Sequence, residues 1–545
     1  MTNVSDRSRQ TADHTPAPPP SILPRWGSTV VEHTVRGHSC RVYHPRPTSV
    51  TELLVETRRW SENVCMVQAG RWLSYAEHEA AVAAEVVRLT EAGVRGGDRV
   101  MLLAANSIEM VASWWAIIAR GGIAVLGNAW WSAEEVRHAV ELIKPRAVIA
   151  DQRRRELLGS HDWVIAMEDR LDPLGSGEVR VNPPAVNEDD PAVILFTSGT
   201  TGRAKGAVLS HRSIVANVHN VLLASGQLPD QIDPRGPHSI NLLMYPLFHI
   251  SGLQTLLLSA LTGGKLVLRS GRFDPAQIFD LIEAERVTHL SGVPTMLSRM
   301  LDHPRIRTTD LSTVRSVSTG GMPVSAALLD RIRRTFPRVR RGLGQVYGLS
   351  ESGGVLTMAG GCDTEKHPTA AGRPLPVVEL RIKDPDDAGV GEILARSPTN
   401  MSGYWNMPDD ATVDDDGWLH TGDLGRVDEG GLHLVGRAKE VIIRAGENVA
   451  APHVEQCLLE HPAITEVAVV ALAHPDLGEE VAAIIVPAPA AIIEIGEIEH
   501  FARKRLAHFE VPTAWRISDT PLPTTPSGKV AKAALVAEWP PRETR

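Results

Sequence analysis

An α/β fold, with a large N-terminal portion of several subdomains and a small C-terminal α/β unit, is what the pattern of this chain predicts. Three observations carry that reading. Short, largely apolar runs at 98–104, 123–126 and 147–150 alternate with helix-length stretches, the grammar of a parallel sheet covered by helices. After about residue 375 the apolar runs shorten and Gly and Asp accumulate (384–391, 414–417), which predicts a smaller β-rich portion. After Gly436 a compact unit follows, with strands expected at 467–472 and 481–486 and a helix at 498–507. At 545 residues the chain is long enough for about three to four domain-sized units.

Each element has a local reason. Asn106-Ser107-Ile108-Glu109 reads as a capping box that opens a helix running to Arg120, and Gly121-Gly122 ends it. Ser132-Ala133-Glu134-Glu135 reads as a second capping box, leading through Ile143. Further strands are expected at 288–293 and 314–318, each leading into a helix, and no internal repeat is visible. The first 28 residues are polar and rich in proline and read as a disordered tail. They lack the apolar core of a signal peptide, and the last three residues are not a peroxisomal address.

Bulk numbers narrow the classes. The chain is 43% hydrophobic and 22% charged, as soluble globular enzymes are. Its net charge of −9 and pI near 6.2 give no basic footprint for nucleic acid. No run of 18 apolar residues exists, so no transmembrane helix is expected. Four cysteines (Cys40, Cys65, Cys362, Cys457) stand far apart without a Cys-x-x-Cys, which fits a cytoplasmic setting better than a disulfide framework or a zinc site. The sequence sets no oligomeric state.

The chemistry centres on 196–206, Phe-Thr-Ser-Gly-Thr-Thr-Gly-Arg-Ala-Lys-Gly. An apolar run at 192–196 precedes it, and a helix is expected to begin near Ser213. Between them lie the hydroxyls of Thr197, Ser198, Thr200 and Thr201, the glycines Gly199, Gly202 and Gly206, and Lys205. Glycines let backbone N–H groups approach an anion, hydroxyls donate to it, and lysine adds a point charge. That is a phosphate cradle. It is not a Walker A loop, because Gly206 follows Lys205 where that motif needs Ser or Thr. Nor is 342–348 a Gly-x-Gly-x-x-Gly, having one residue too many, and Gly348-x-Ser350-x-Ser352 lacks the last glycine of a hydrolase elbow.

The cradle resembles the phosphate loop of the adenylate-forming superfamily, which includes acyl-CoA synthetases, luciferases and peptide-synthetase adenylation domains. Ala204 stands where that pattern has proline. The resemblance recurs in order through seven motifs to Lys529 and covers nearly the whole chain. It implies an N-terminal adenylate-forming domain over 29–437 and a mobile C-terminal domain over 438–545.

The later motifs imply roles by the same likeness. Tyr-Pro-Leu-Phe-His-Ile-Ser-Gly at 245–252 puts His249 beside the acyl carboxylate and thiol path, with Ser251 and Gly252 at the acyl pocket. Ser-Thr-Gly-Gly-Met-Pro at 318–323 implies that the adenine ring lies against Gly320 and Gly321, while Met322, in place of the usual Ala, reshapes the pocket. In Tyr-Gly-Leu-Ser-Glu, Tyr347 would face adenine, Ser350 would donate to phosphate and Glu351 would ligate Mg²⁺. Val346 stands where luciferases have glycine. Gly-Trp-Leu-His-Thr-Gly-Asp at 417–423 offers Asp423 to the ribose hydroxyls. Gly-Arg-Ala-Lys at 436–439 offers Arg437 to the nucleotide and Lys439 as hinge. Ala445-Gly446 implies the pantetheine tunnel, with alanine where glycine is usual. Lys529, in Pro-Ser-Gly-Lys, is implied to be catalytic together with Lys205.

The expected activity is therefore an ATP-dependent acid–CoA ligase of the acyl-CoA synthetase or fatty-acid–CoA ligase type. It would use ATP, Mg²⁺, CoA and a small-molecule carboxylic acid, by way of acyl-AMP. Two alternatives use the same residues differently: an amide-forming ligase, to which Ala445 points, and a non-catalytic acyl- or nucleotide-binding relative. Every charged catalytic position being filled argues against the second. An acyl-AMP ligase serving a carrier protein is disfavoured because no extra insertion separates the Glu351 region from Gly436.

Overall fold

The computed structural model describes residues 25–159, 161–168, 180–182, 184–198, 204–322, 324–408, 410–437, 441–445, 447–474, 477–489, 491–525 and 528–540. Four large sheets organise them. The first runs in the order Ala204–Ser210, Pro191–Ser198, Ile123–Leu126, Arg99–Leu103, Ala147–Ala150, Val164–Ala166. Its strands are parallel except for the edge hairpin formed by the first two. The second has nine strands, with a parallel centre of Leu343–Leu349, Ser316–Gly320, His289–Gly292, Ile240–Leu243, Lys265–Leu268 and Val64–Gln68.

Helix Ile108–Ala119 explains how the two sheets join. Every residue in it except Glu109 is buried, as befits a helix apolar all round. Its side chains share one core with Leu102, Leu126 and Ile149 of the first sheet and Met66, Leu243 and Leu268 of the second. Trp26 is also in this core at 4% exposure, so this end of the segment expected to be a tail is packed.

An antiparallel sheet of Glu379–Lys383, Gly391–Arg396, Leu419–Asp428 and Gly431–Arg437 follows, matching the expected β-rich portion. The last sheet, from Val441–Arg444 onward, joins the long hairpin Ile464–His474 and Gly478–Pro487 to Ala514–Ile517. It has its own core of Ile442, Val454, Leu458, Val469, Val481, Ile485 and Ile498 beneath helices Ala451–Leu459 and Ile495–Arg503.

The helix expected near Ser213 forms as His211–Ala224, preceded by a strand the sequence reading did not place, Ala204–Ser210, which pairs antiparallel with Pro191–Ser198. One local expectation is corrected: the first capping box is not formed. Ser107 alone caps its helix, accepting from the Met110 N–H, while Asn106 reaches across to another loop. The second box forms as expected, Ser132 and Glu135 each serving the other's backbone, an arrangement typically worth ~1 kcal/mol.

Candidate active site

The parallel strands of the nine-stranded sheet all end on one edge, so the loops after Ile240–Leu243, Ser316–Gly320 and Leu343–Leu349 converge there. Such an edge is where open α/β sheets bind ligands. Every motif named above that follows one of these strands lies on it.

Tyr347, Asp423 and Arg437 come together there. The Tyr347 hydroxyl donates to Asp423 Oδ2 at 2.9 Å, and Arg437 Nε donates to Oδ1 at 2.9 Å. Burial pushes the Asp423 carboxyl above its ordinary range, opposed by Arg437, Tyr347 and Lys529. Burial likewise pushes the Tyr347 phenol far up, helped by Asp423, so it stays a donor. Both carboxylate oxygens are thus aimed and paired.

A second group surrounds Lys205. Its Nζ lies 2.9 Å from Asp410 Oδ2 and 4.6 Å from the centre of the Tyr404 ring. The Tyr404 hydroxyl donates to Glu351 Oε1 at 2.7 Å. Burial raises the Asp410 carboxyl, but hydrogen bonds from Thr412 and Lys205 outweigh it and hold the group below its usual range. Backbone bonds fix this geometry: Val208 N–H to Gly403, Ser402 N–H to Val208, Trp405 N–H to Gly206, and Met401 N–H to the Glu351 carbonyl. Ser350 lies on the same turn, closed by the Gly353 N–H on its carbonyl.

His249 precedes helix Ile250–Leu261, whose first turn carries Ser251 and Gly252. Gly252 is required there, since a Cβ would sit 2.1 Å from the Pro246 carbonyl oxygen. Asn106 clamps the loop, donating to the Tyr245 carbonyl and accepting from the Leu247 N–H, both at 2.8 Å. The His249 ring lies 4.6 Å from Phe248, which meets Trp130 edge-on. Burial, with Lys529 nearby, pulls its imidazole down to about 4, and its buried Nε2 has no hydrogen-bond partner among the described residues. A neutral ring with an uncommitted nitrogen beside a lysine suits an anionic or acyl ligand group.

Lys529 arrives from the C-terminal unit on a hairpin. Thr525 N–H donates to the Lys529 carbonyl at 2.7 Å and Ala531 N–H to Pro523 at 2.8 Å. Gly528, at φ +82°, seats the tip, because a Cβ would lie 2.8 Å from both Met296 and Val293. A Cβ on Gly321 would lie 3.8 Å from Lys529 Cε, so the lysine stem crosses the Gly320–Gly321 turn. Met322 is on the same turn, its sulfur 3.9 Å from the Thr295 hydroxyl.

The fold therefore gathers Lys205, Thr197, Glu351, Tyr347, Asp423, Arg437, Gly321, His249 and Lys529 around one edge. Ala445 is not among them. It lies on an exposed turn at φ +52°, its N–H donating to Leu477. Gly199, Thr200, Thr201, Gly202, Lys439, Gly446 and the Ser198 side chain lie outside the described residues. Sequence reasoning missed Tyr404 and Asp410.

Residues 55–405 match the family model for AMP-binding enzyme, and 453–529 match that for the AMP-binding enzyme C-terminal domain. The chain belongs to the AMP-binding enzyme family. A feruloyl-CoA synthase of Amycolatopsis sp is 35% identical over 88% of this chain and 97% of its own length. An indoleacetate–CoA ligase of Aromatoleum aromaticum is 34% identical, over 85% of this chain and 92% of its own. Among solved structures, ATP-bound MatB from Rhodopseudomonas palustris superposes with a TM-score of 0.76 at 28% identity, covering 89% of this chain and 98% of that one. The amide bond synthetase McbA from Marinactinospora thermotolerans gives 0.74 at 30%, covering 89% and 99%. The fold of this AMP-binding enzyme is thus that of adenylating enzymes with a large N-terminal and a small C-terminal domain. Among the described residues no helix is long and apolar enough to cross a membrane.

Proposed function

We propose that this AMP-binding enzyme is an ATP-dependent acid–CoA ligase whose cognate acid is aromatic, and that the residues gathered above carry the reaction. One observation supports the reading most: Lys529 reaches from a separate unit onto the Gly320–Gly321 turn, beside His249 and Asp423. A lysine so placed can reach charge that develops in the site. The relatives' names point to ferulate, indoleacetate and 4-coumarate, which narrows the expected acid from fatty to aromatic.

A carboxylate is ionised near neutral pH and needs no base, but it is a weak nucleophile and ATP repels it. The site must neutralise charge and align an in-line attack on the α-phosphorus. Lys529 would bridge the attacking carboxylate and the α-phosphate, while Lys205, with Thr197, Ser198, Thr200, Thr201 and Ser350, would hold the outer phosphates. Lys205 would exchange Asp410 for phosphate. Asp423 and Arg437 would hold the ribose, with Tyr347 beside adenine. Glu351, steadied by Tyr404, is the hard oxygen donor that would hold Mg²⁺, a cation content with one carboxylate plus phosphate oxygens, whose charge offsets that of the triphosphate. In the second step the unit 438–545 would turn at Lys439, withdrawing Lys529 and admitting CoA, whose thiolate displaces AMP. His249, neutral at pH 7, would turn to make way without moving a charge.

An amide-forming ligase is the second reading. Ala445 favours it: a residue with a Cβ holds a left-handed conformation where glycine is usual, on the loop assigned to thiol entry. A panel of ferulate, 4-coumarate, indoleacetate, benzoate and octanoate, scored for pyrophosphate release with CoA, with an amine, and with neither, tests both. Aromatic acids should release pyrophosphate and yield thioester with CoA. Amide without thioester would favour the second reading, and a preference for octanoate would overturn the aromatic assignment.

A further inference from the structure

Helix Pro294–Asp302 belongs to the large portion and strand Ile464–His474 to the C-terminal unit. Arg299 and Glu466 join them as a fork: Nε to Oε1 at 3.0 Å and Nη2 to Oε2 at 3.3 Å. The same two side chains grip the backbone of Leu522. Arg299 Nη2 donates to the Leu522 carbonyl at 2.8 Å, and the Leu522 N–H donates to Glu466 Oε2 at 2.9 Å. Leu522 is buried with Ala468, Val470, Ile484 and Leu535, at the foot of the hairpin that ends in Lys529.

The bonds divide in a telling way. Glu466 and Leu522 both belong to the C-terminal unit, so their bond travels with it. Of these four bonds the three from Arg299 cross to the other body, and a rotation that carries Glu466 and Leu522 away must break them. A planar guanidinium that binds a carboxylate and a carbonyl together fixes one orientation, which a lysine ammonium does not. Once broken, both charges meet water, so the lock is reversible.

We infer that Arg299 is the latch of this enzyme: it holds the C-terminal unit where Lys529 faces the site, and so is a positioning residue for acyl-AMP formation and not for thioester formation. The inference rests on the two-step acid–CoA reading. Arg299 touches no reacting atom. Its action is a bias on the population of one orientation, and losing such a clamp lowers the rate of the step that needs it in proportion.

The test uses the full chain with Arg299→Ala and Arg299→Lys. One assay follows pyrophosphate release from ferulate and ATP in a single turnover; another follows thiolysis of chemically made feruloyl-AMP by CoA. A third, independent of activity, measures the distance between spin labels at Trp72→Cys and Ile492→Cys, both exposed, with exposed Cys362→Ser to leave only buried cysteines. For Arg299→Ala we expect adenylation slowed roughly ten-fold or more, thiolysis kept within about two-fold, and a shrunken share of the latched distance, with Arg299→Lys between it and the parent. Unchanged adenylation with an unchanged distance distribution, or equal loss in both half-reactions, overturns the latch. If the parent forms no pyrophosphate but the label distances still shift, the latch stands and the ligase reading fails.

Discussion

Tyr404 shows what one side chain does at this site. Its ring faces the Lys205 ammonium and its hydroxyl holds Glu351, so one side chain touches both the lysine and the carboxylate of this group. Burial first, then Glu351, pushes its phenol up, keeping it a donor at any working pH. Tyr404→Phe keeps the ring and deletes the bond. Hydrogen bonds to charged groups are worth about 1.5–3 kcal/mol, so adenylation should fall roughly ten- to hundred-fold. The loss should appear mainly in the Mg²⁺ and ATP dependence, and steady-state titration of both measures it. Rates equal to the parent's at every Mg²⁺ concentration would remove Tyr404 from this role. The sequence did not reveal it because Met-Ser-Gly-Tyr-Trp at 401–405 carries no chemical pattern; its meaning comes from pairing with 206–208, some two hundred residues away. Asn106 is the same lesson, its two bonds to 245–247 being invisible to any local reading.

At the scale of elements, what could be read locally was read well. Ile123–Leu126 and Ala147–Ala150 are fully buried strands because they are unbroken apolar runs bounded by Gly-Gly and by a capped helix. Strand Ala204–Ser210 escaped because Ala-Lys-Gly at its start has the composition of a loop, and its extended form depends on pairing with Pro191–Ser198. The antiparallel sheet ends at Arg437 and the next sheet begins at Val441, so the proposed hinge lies in the short link between them. Lys439→Pro fixes φ at that link. We expect acyl-AMP to form at near the parent rate and thioester formation to be blocked, read by the two half-reactions run separately. Equal loss in both would move the hinge elsewhere.

For the whole molecule, burial decides the response to acid. His78, His211, His219 and His249 are each pulled from 6.5 to about 4 by burial. The unfolded chain therefore binds more protons between those values, so stability falls as pH falls from about 6.5 to 4. Each imidazole contributes at most about 3 kcal/mol of this slope, and together they should cost several kcal/mol between pH 7 and 5. Urea unfolding at both pH values checks it; equal stabilities would show that these rings are not buried neutral. The other molecule-wide property is the placement of a lysine from one domain in the site of the other, and Lys529→Ala tests it most directly. Single-turnover kinetics would follow ferulate plus ATP in one experiment and chemically made feruloyl-AMP plus CoA in the other. Removing one preorganised contact to developing charge costs roughly 3–4 kcal/mol, so adenylation should fall about 10²–10³-fold while thiolysis proceeds at nearly the parent rate. A variant that adenylates normally, or that fails equally at both steps, would contradict the account.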